Sequence, residues 1–290
     1  MISARTGLAW PVIFTELLLF GTAAFALTLG SAYEDGRDRL IAGFLGLWRS
    51  LGLIALILSP LLFVQIASDM AQMSQVQVLS LLPAILKETH AGRVWEWRLL
   101  IVTILAIASW LPCSPRAAAL LMLLLSGALL ACECLTSHAI DHGMPAVVVQ
   151  FLHEVSAALW IGAILGLWLG ARRTHLGDEW VVATAPWVSR LAGWTVTALL
   201  LSGLYTAYHA LMGNPEMMIF TAYGRILLVK LGAASIVLLI GAYNRFILIP
   251  DLAQTEADIA LVRNVAFESI LLVGVVGVAA LLANTPPAHH

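Results

Sequence analysis

The chain has 290 residues, of which 61% are apolar and only 11% are charged, and its mean hydropathy is +0.93. Soluble domains usually carry about a quarter charged residues and just under half apolar ones, so the composition excludes a disordered chain, a disulfide-rich secreted scaffold and an ordinary soluble enzyme. The net charge of -2 provides no basic surface for nucleic acid, and we expect the lipid bilayer to surround the protein.

Continuous apolar runs of about twenty residues predict transmembrane helices, because barrel strands would alternate in polarity over about ten residues. The first run lacks a strong basic region and a small-residue cleavage site, so it is interpreted as a helix and not as a removed signal peptide. We predict an all-α, polytopic membrane helix bundle that forms a single domain over residues 1–290, and no internal repeat is evident by eye. The eight predicted spans are Leu8–Gly30, Ile41–Ser68, Trp97–Leu111, Ala117–Ser137, Ala146–Ala171, Trp187–Leu211, Gly224–Ile249 and Ala260–Ala283.

The stretch Met73–Lys87 is apolar but is interrupted by Gln75, Gln77 and Pro83. It is too short and too broken for a ninth span. We predict that it forms an interfacial or re-entrant helix.

Basic residues predict the orientation of the eight spans. The odd-numbered loops hold Arg37, Arg39, Arg116, Arg172, Arg173, Arg245 and Arg263. The even-numbered loops and both tails hold Arg5, Lys87, Arg93 and Arg98, with Arg225 at a border. The short even loops His138–Pro145 and Met212–Tyr223 hold neither Lys nor Arg. The positive-inside rule therefore puts the odd loops in the cytoplasm and both termini outside.

Side chains that bind metals collect on the predicted outer side. The histidines at or near this side are His90, His138, His142, His209, His289 and His290, and Met144 lies in the same loop as His142. Imidazole and thioether groups together suit copper, with zinc a weaker possibility. Each residue also has an ordinary explanation, since a loop histidine is often only solvated and a methionine often only lines an apolar surface. The shared side of the membrane is the informative feature.

His153 differs from these histidines because it lies inside an apolar span, beside Glu154. Ionisable groups at membrane depth are costly and tend to face the bundle interior or an aqueous pathway. His153 is therefore a candidate ligand or transport residue, although a structural hydrogen bond would also explain it. His138 ends the fourth span and His153 begins the fifth, so antiparallel packing could bring the two together.

Other ionisable residues lie inside the predicted spans, namely Glu16, Arg49, Glu133, Lys230 and Glu268. For Arg49 and Lys230 we favour structural pairing with a carboxylate of another helix, while Glu16 and Glu268 could pair or could line a cation path. On the fifth span, Gly162, Gly166 and Gly170 form a stripe of small residues that predicts close helix packing.

Several ordered motifs resemble the CopD/PcoD family of copper-resistance membrane proteins. The run Ser137-His138-Ala139 is similar to the family's GHA-like motif, and the segment from Phe151 to Gly162 is similar to its LHLLAAALWVGGL-like helix. Further similarity follows at Thr221–Leu231, at Asn244-Arg245 and around Glu268, so the likeness covers about 137–286, whereas 1–136 is more divergent. Two departures are Ser137, where the family often has glycine, and Glu154, where it usually has an apolar residue.

The resemblance implies a multi-pass protein of the bacterial inner membrane that handles copper and works with a periplasmic, copper-binding CopC-like partner. It also implies that His138 and His153 are copper ligands. It assigns no role to Asn244 or to Tyr223-Gly224-Arg225.

The leading hypothesis is a copper-handling permease, a transporter and not an enzyme, since nucleotide-binding and hydrolase motifs are missing from the sequence. The candidate ligands at the periplasmic face are His138, His153, His90, His142, His209 and Met144. The candidate transport path comprises Glu154, Lys230, Glu268 and Glu16. The alternative is a haem b protein with two axial histidines on neighbouring helices, which would make the chain a membrane oxidoreductase. A third possibility is a structural subunit or a chaperone that delivers copper.

Overall fold

The computed structural model describes residues 3–29, 34–173, 177–252 and 257–286, and these ranges contain helices and turns but no strand. His175, His289 and His290 lie outside them. The predicted all-α class is confirmed. The helices are α1 (Ala4–Leu29), α2 (Glu34–Ala71), α3 (Gln75–Val78), α4 (Leu82–Glu88), α5 (His90–Ala108), α6 (Pro115–Leu135), α7 (Met144–Arg173), α8 (Gly177–Ala210), α9 (Met217–Phe220), α10 (Ala222–Tyr243) and α11 (Ala257–Ala283), with a 3₁₀ helix at His138–His142 and a π-helix at Asn244–Leu248.

Six helices in the described ranges are long and apolar enough to cross a membrane, namely α1, α2, α6, α7, α10 together with the π-helix, and α11. The other two predicted spans coincide with α5 and α8. Helix α5 is 19 residues long and contains Arg93, Glu96 and Arg98, and α8 contains many serine, threonine and tyrosine residues. The chain is therefore a multi-pass membrane protein, and the count of eight spans stays a prediction.

The predicted segment Met73–Lys87 forms two short helices, α3 and α4, and not one. The side chain of Ser74 caps α3, and Pro83 lies in the first turn of α4, where the missing N–H of proline is tolerated. Val76 and Leu79 of this segment are exposed. An interfacial position agrees with that exposure and stays a prediction.

Helix α1 lies at the centre of the bundle and runs parallel to α7. A Cβ atom on Gly162 would lie only 2.1 Å from the carbonyl carbon of Gly21, and one on Gly166 would lie 2.4 Å from the ring of Phe25. The two backbones are therefore in direct contact, which confirms that the glycine stripe of α7 permits close packing. Because α1 and α7 are parallel, both begin at the same end of the bundle. This end, where α6 ends and α7 begins, is called the histidine end.

The structure reveals an internal similarity that is not evident from the sequence by eye. The order of two long helices, a short helix, a threonine-capped helix and a final long helix occurs in α1–α6, where α3 is an additional turn, and again in α7–α11. Four long helices form each half, so the two halves have the same direction in the bundle. Repeats of this kind are common in membrane transporters.

The threonine caps of the two halves match atom for atom. The hydroxyl of Thr89 donates to the carbonyl of Ile85 and accepts from the N–H of Gly92, at 2.8 Å each. The hydroxyl of Thr221 donates to the carbonyl of Met217 at 2.6 Å and accepts from the N–H of Gly224 at 3.0 Å. In each half the acceptor lies four residues before the threonine and the glycine three residues after it. A basic residue follows nine positions after each threonine, Arg98 in the first half and Lys230 in the second.

Candidate copper site

Two of the predicted ligands meet at the histidine end. The ring centroids of His142, on the 3₁₀ helix, and His209, near the end of α8, are 5.1 Å apart. The ring of Tyr205 lies 4.5 Å from His209, and that of Tyr208 lies 5.6 Å from it. The loop before α7 and the end of α8 therefore bring two imidazoles together, a pairing that the sequence had not singled out.

The other predicted ligands at this end surround the pair more loosely. His138 and Met144 are exposed, at the start of the 3₁₀ helix and of α7. The Nε2 atom of His90 lies 3.4 Å from the carbonyl oxygen of Leu135, the last residue of α6. Within the described ranges, no three His, Cys, Asp or Glu side chains are grouped so as to hold a metal ion. The assignment of these residues as ligands stays a prediction.

His153 is partly buried inside the bundle, about 13 Å along the axis of α7 from Met144. Its Nδ1 atom lies 3.0 Å from the hydroxyl oxygen of Ser202 on α8. That hydroxyl donates its own proton to the carbonyl of Ala198 at 2.6 Å, so it accepts a hydrogen bond from Nδ1–H of His153. The lone pair of Nε2 then remains available to a metal, the arrangement that metal-binding histidines commonly show.

Lys230 and Glu154 both lie near this position. Lys230 of α10 interacts electrostatically with both His153 and Glu154. The Glu154 carboxylate accepts a hydrogen bond from Gln150 at 3.0 Å and interacts with the Cys134 thiol of α6. Because consecutive residues of a helix point about 100° apart, His153 faces α8 while Glu154 faces α6.

Glu16 belongs to a buried ion cluster. Nη2 of Arg98 lies 2.9 Å from Oε1 of Glu16, and Nη1 of Arg98 pairs with Glu133 of α6. Glu16 and Arg98 are almost completely buried, so three helices are joined at this point. The prediction that Arg98 is a loop charge is therefore wrong. The guanidinium is drawn into the bundle by the two carboxylates and lies over the ring of Trp95, 4.7 Å from its centroid.

Two other interior charges, Arg49 and Glu268, have neutral hydrogen-bond partners. The predicted pairing of Arg49 with a carboxylate is not found among the described residues, where its Nε atom donates to the carbonyl of Ser109 at 3.2 Å and its guanidinium lies over Trp110. Glu268 is 3% exposed and accepts a hydrogen bond from Asn244 at 2.9 Å. No role for Ser202 or for Asn244, the carboxamide partner of Glu268, is predicted from the sequence, because neutral polar residues inside apolar spans give little indication of their partners.

Comparison with known proteins agrees with the CopD/PcoD resemblance. The family described as copper resistance protein D matches residues 182–282, and the N-terminal domain of copper resistance protein D-like proteins matches residues 3–145. No solved structure matches the chain.

Three curated relatives are similar to the chain. The copper transport protein CutJ of Bacillus subtilis is 33% identical over 125 residues, which is 40% of this chain and 22% of CutJ. The inner membrane protein YebZ of Escherichia coli is 26% identical over 58% of this chain and 59% of its own length. Copper resistance protein D of Pseudomonas syringae pv. tomato is 28% identical over 82% of this chain and 80% of its own length. The chain thus spans less than two thirds of the first two relatives. The two family matches, together covering both halves of the bundle, show that the chain belongs to the copper resistance protein D family of integral membrane proteins.

Proposed function

We propose that this protein captures copper at the periplasmic face of the bacterial inner membrane and passes it across the bilayer. The observation that carries the proposal is the pair His142 and His209, whose ring centroids are 5.1 Å apart at one end of the bundle. Imidazole is a good copper ligand, and the two rings come from different elements, so a shared ion would join the 3₁₀ helix to α8. The relatives named for copper transport and copper resistance support the same function.

The route inward starts at this pair and continues to His153. His138, His90 and Met144 surround this entry pair, and the copper ion passes from one of these ligands to the next. Nε2 of His153 receives the ion about 13 Å further along α7. Exchange between weak neutral ligands lets the ion load and also leave, which a transport site requires.

The ionisable residues of the path then balance the charge of the copper ion inside the bilayer. The charge of Glu16 is already balanced by Arg98, so the carboxylate of Glu154 is the one that compensates a cation near His153. Lys230 lies near both residues and opposes prolonged occupancy by a cation, which favours release. Glu268 lies further along the route.

The topology that goes with this function has eight spans and both termini in the periplasm. Arg245 and the other arginines of the odd loops then lie in the cytoplasm, as the positive-inside rule requires. The histidine end faces the periplasm, where a CopC-like protein delivers copper to the exposed His138, His142 and Met144. The haem b alternative gains no support from the named relatives, and an absorption spectrum of the purified protein without a Soret band would remove it.

Substitution of the entry histidines tests copper capture. Each of His142→Ala and His209→Ala is expected to lower the affinity of the purified protein for copper by at least about tenfold, because each removes one ligand of a shared ion. Copper binding in detergent, measured with a competing chelator, gives the affinities. Gln75→Ala, an exposed polar residue on α3, is the control and should bind as the wild type does. Wild-type affinity in both histidine variants would show that copper enters elsewhere.

Substitution of His153 tests the step inside the bundle. His153→Ala is expected to reduce copper flux into proteoliposomes by much more than tenfold while the affinity of the entry site stays within about twofold, because the entry ligands are unchanged. Ser202→Ala removes one acceptor that orients the ring and leaves the carbonyl of Leu199, so a smaller loss of about tenfold is expected, in the range typical of groups that orient a metal ligand. Normal flux in His153→Ala would exclude this residue from the route.

A further inference from the structure

A cavity of about 190 Å³ lies among α7, α8, α10 and α11, in the second half of the chain. Its walls are mostly apolar, with Trp160 and Leu238 among them, and its polar side consists of Ser189, Asn244, Arg245 and Glu268. The two charged groups that face it are the carboxylate of Glu268 and the guanidinium of Arg245. Arg245 is held at the rim, where Nη1 donates to the carbonyl of Ser189 at 2.6 Å.

The carboxylate of Glu268 ends a chain of hydrogen bonds that all point toward it. Nδ2 of Asn264 donates to Oδ1 of Asn244 at 3.0 Å, and Nδ2 of Asn244 donates to Oε2 of Glu268 at 2.9 Å. The other oxygen, Oε1, faces Gly241, where a Cβ atom would lie 3.0 Å away. Among the described residues Glu268 forms no ion pair. The network therefore supports a negative charge on Glu268 and leaves Oε1 open on the cavity side.

The cavity continues the face of α7 that carries His153. Trp160, Ile164 and Leu167 line the cavity and follow His153 at intervals of seven, four and three residues, so they lie in one stripe of the helix. Trp160 lies about 10 Å further along α7 than His153. Asn244 is the first residue of the π-helix, a local distortion often found at functional sites.

The matching region of the first half is filled with aromatic side chains. Phe44 and Trp48 of α2 are almost completely buried and stack with their centroids 6.1 Å apart. Ala185 and Ser189 line the cavity. They lie nearly as far from the start of α8 as Phe44 and Trp48 lie from the start of α2. Both pairs have a spacing of four residues. Buried aromatic rings in the first half thus occupy positions close to those at which small residues of the second half line a cavity with a buried carboxylate.

We propose that this cavity binds a small, hard, monovalent cation, a proton or a sodium ion, on Oε1 of Glu268. Oxygen donors from a carboxylate and carboxamides suit hard cations and are poor ligands for copper(I). The part that the ion plays rests on the proposed copper transport, in which it is the coupling ion. Because Glu268 forms no ion pair among the described residues, the cation binds without displacing another charged group.

Two measurements that need no copper test the binding and identify the ion. Each compares the wild type, Glu268→Gln and the exposed control Glu96→Gln. In the proton arm, infrared difference spectra between pH 8 and pH 5.5 should contain a carboxylic-acid band in the wild type and in Glu96→Gln that is missing in Glu268→Gln. In the sodium arm, sodium chloride but not choline chloride should raise the melting temperature of wild type and Glu96→Gln but not of Glu268→Gln. A result in one arm names the ion, and the absence of both effects in the wild type would overturn the proposal.

Glutamine can still accept the hydrogen bond from Asn244, so Glu268→Gln is expected to fold. Gly241→Val is a second variant, which places a side chain against Oε1 and should abolish the same effect. Coupling is then measured as copper flux into proteoliposomes with and without a gradient of the identified ion. The flux of Glu268→Gln should no longer respond to the gradient, whereas the flux of the control Glu96→Gln should respond as that of the wild type does. If the wild type binds no copper, the proposed function fails, but the two binding measurements remain interpretable.

Discussion

Arg98→Met is expected to destabilise the protein by about 3–5 kcal/mol, because it leaves the carboxylates of Glu16 and Glu133 without their shared cation inside the bundle. Methionine approximates the length and volume of the arginine stem, so loss of packing is a small part of the effect. Unfolding of the purified protein in mixed micelles, followed by circular dichroism, measures the change. A destabilisation below about 1 kcal/mol would show that the cluster contributes little.

The partner of Arg98 provides a strict control. Glu16→Gln combined with Arg98→Met removes the most deeply buried carboxylate along with the cation, and Glu133 keeps a side chain that is 24% exposed. The double variant should therefore recover most of the lost stability, since removing both members of a buried pair costs much less than removing one. The coupling energy from the four proteins isolates the pair. Additive effects would mean that Arg98 acts through its packing on Trp95 instead.

The ion cluster shows where reasoning from the sequence reached its limit. Hydropathy detects apolar content, so it predicts the positions of spans well and their ends poorly. The span predicted as Trp187–Leu211 is a helix that begins at Gly177, because Asp178 and Glu179 lower the local hydropathy without ending the helix. A charge also lowers the local hydropathy at Arg98, one residue inside a predicted span, so the sequence predicts a loop charge there. Its burial depends on carboxylates from two other helices, which only the tertiary structure brings near.

The sequence predicts which end of the bundle carries the candidate site but not which of its residues contact each other. Most of the histidines lie in the even loops, in the C-terminal tail or, like His209, near the outer end of a predicted span. The alternation of helices then requires that His142 and His209 lie at one end. Their contact depends on how α8 packs against the loop before α7, and no periodicity encodes that. The nearness of His138 and His153 in the chain predicts that these two residues meet, whereas the hydrogen-bond partner of His153 is Ser202 on α8.

The internal similarity is hard to detect in the sequence because the two halves have few residues in common. Apolar residues substitute for one another freely in a bilayer, so the two halves share little beyond the threonine cap, the glycine three residues later, the arginine after that glycine and the basic residue at the ninth position. Those positions are constrained by geometry. A Cβ on Gly92 would lie 1.9 Å from the carbonyl oxygen of Ile85, and one on Gly224 would lie 2.2 Å from that of Met217. The same position in the repeat then has Arg98 in an ion cluster in one half and Lys230 beside a candidate ligand in the other.

Gly162→Ala is expected to destabilise the protein by up to about 3 kcal/mol, the usual cost of forcing extra volume into a packed interior. A single methyl group at this position would overlap the backbone of Gly21, 2.1 Å from its carbonyl carbon. Backbone cannot rotate away as a side chain can, so α1 and α7 must separate. Separation along this contact would also shift His153 relative to the helices around it, so copper flux should fall together with stability.

Gly232→Ala is the matched control for this substitution, since no atom lies within 4 Å of the corresponding Cβ position on α10. Alanine is favoured over glycine inside a helix by about 0.8–1.0 kcal/mol, so this variant should be unchanged or slightly more stable. The same substitution is thus expected to act in opposite directions at two helical glycines, and mixed-micelle unfolding of the two proteins measures the difference. Equal stability of Gly162→Ala and Gly232→Ala would mean that α1 and α7 are not in backbone contact, and the arrangement of the two halves around that contact would then be wrong.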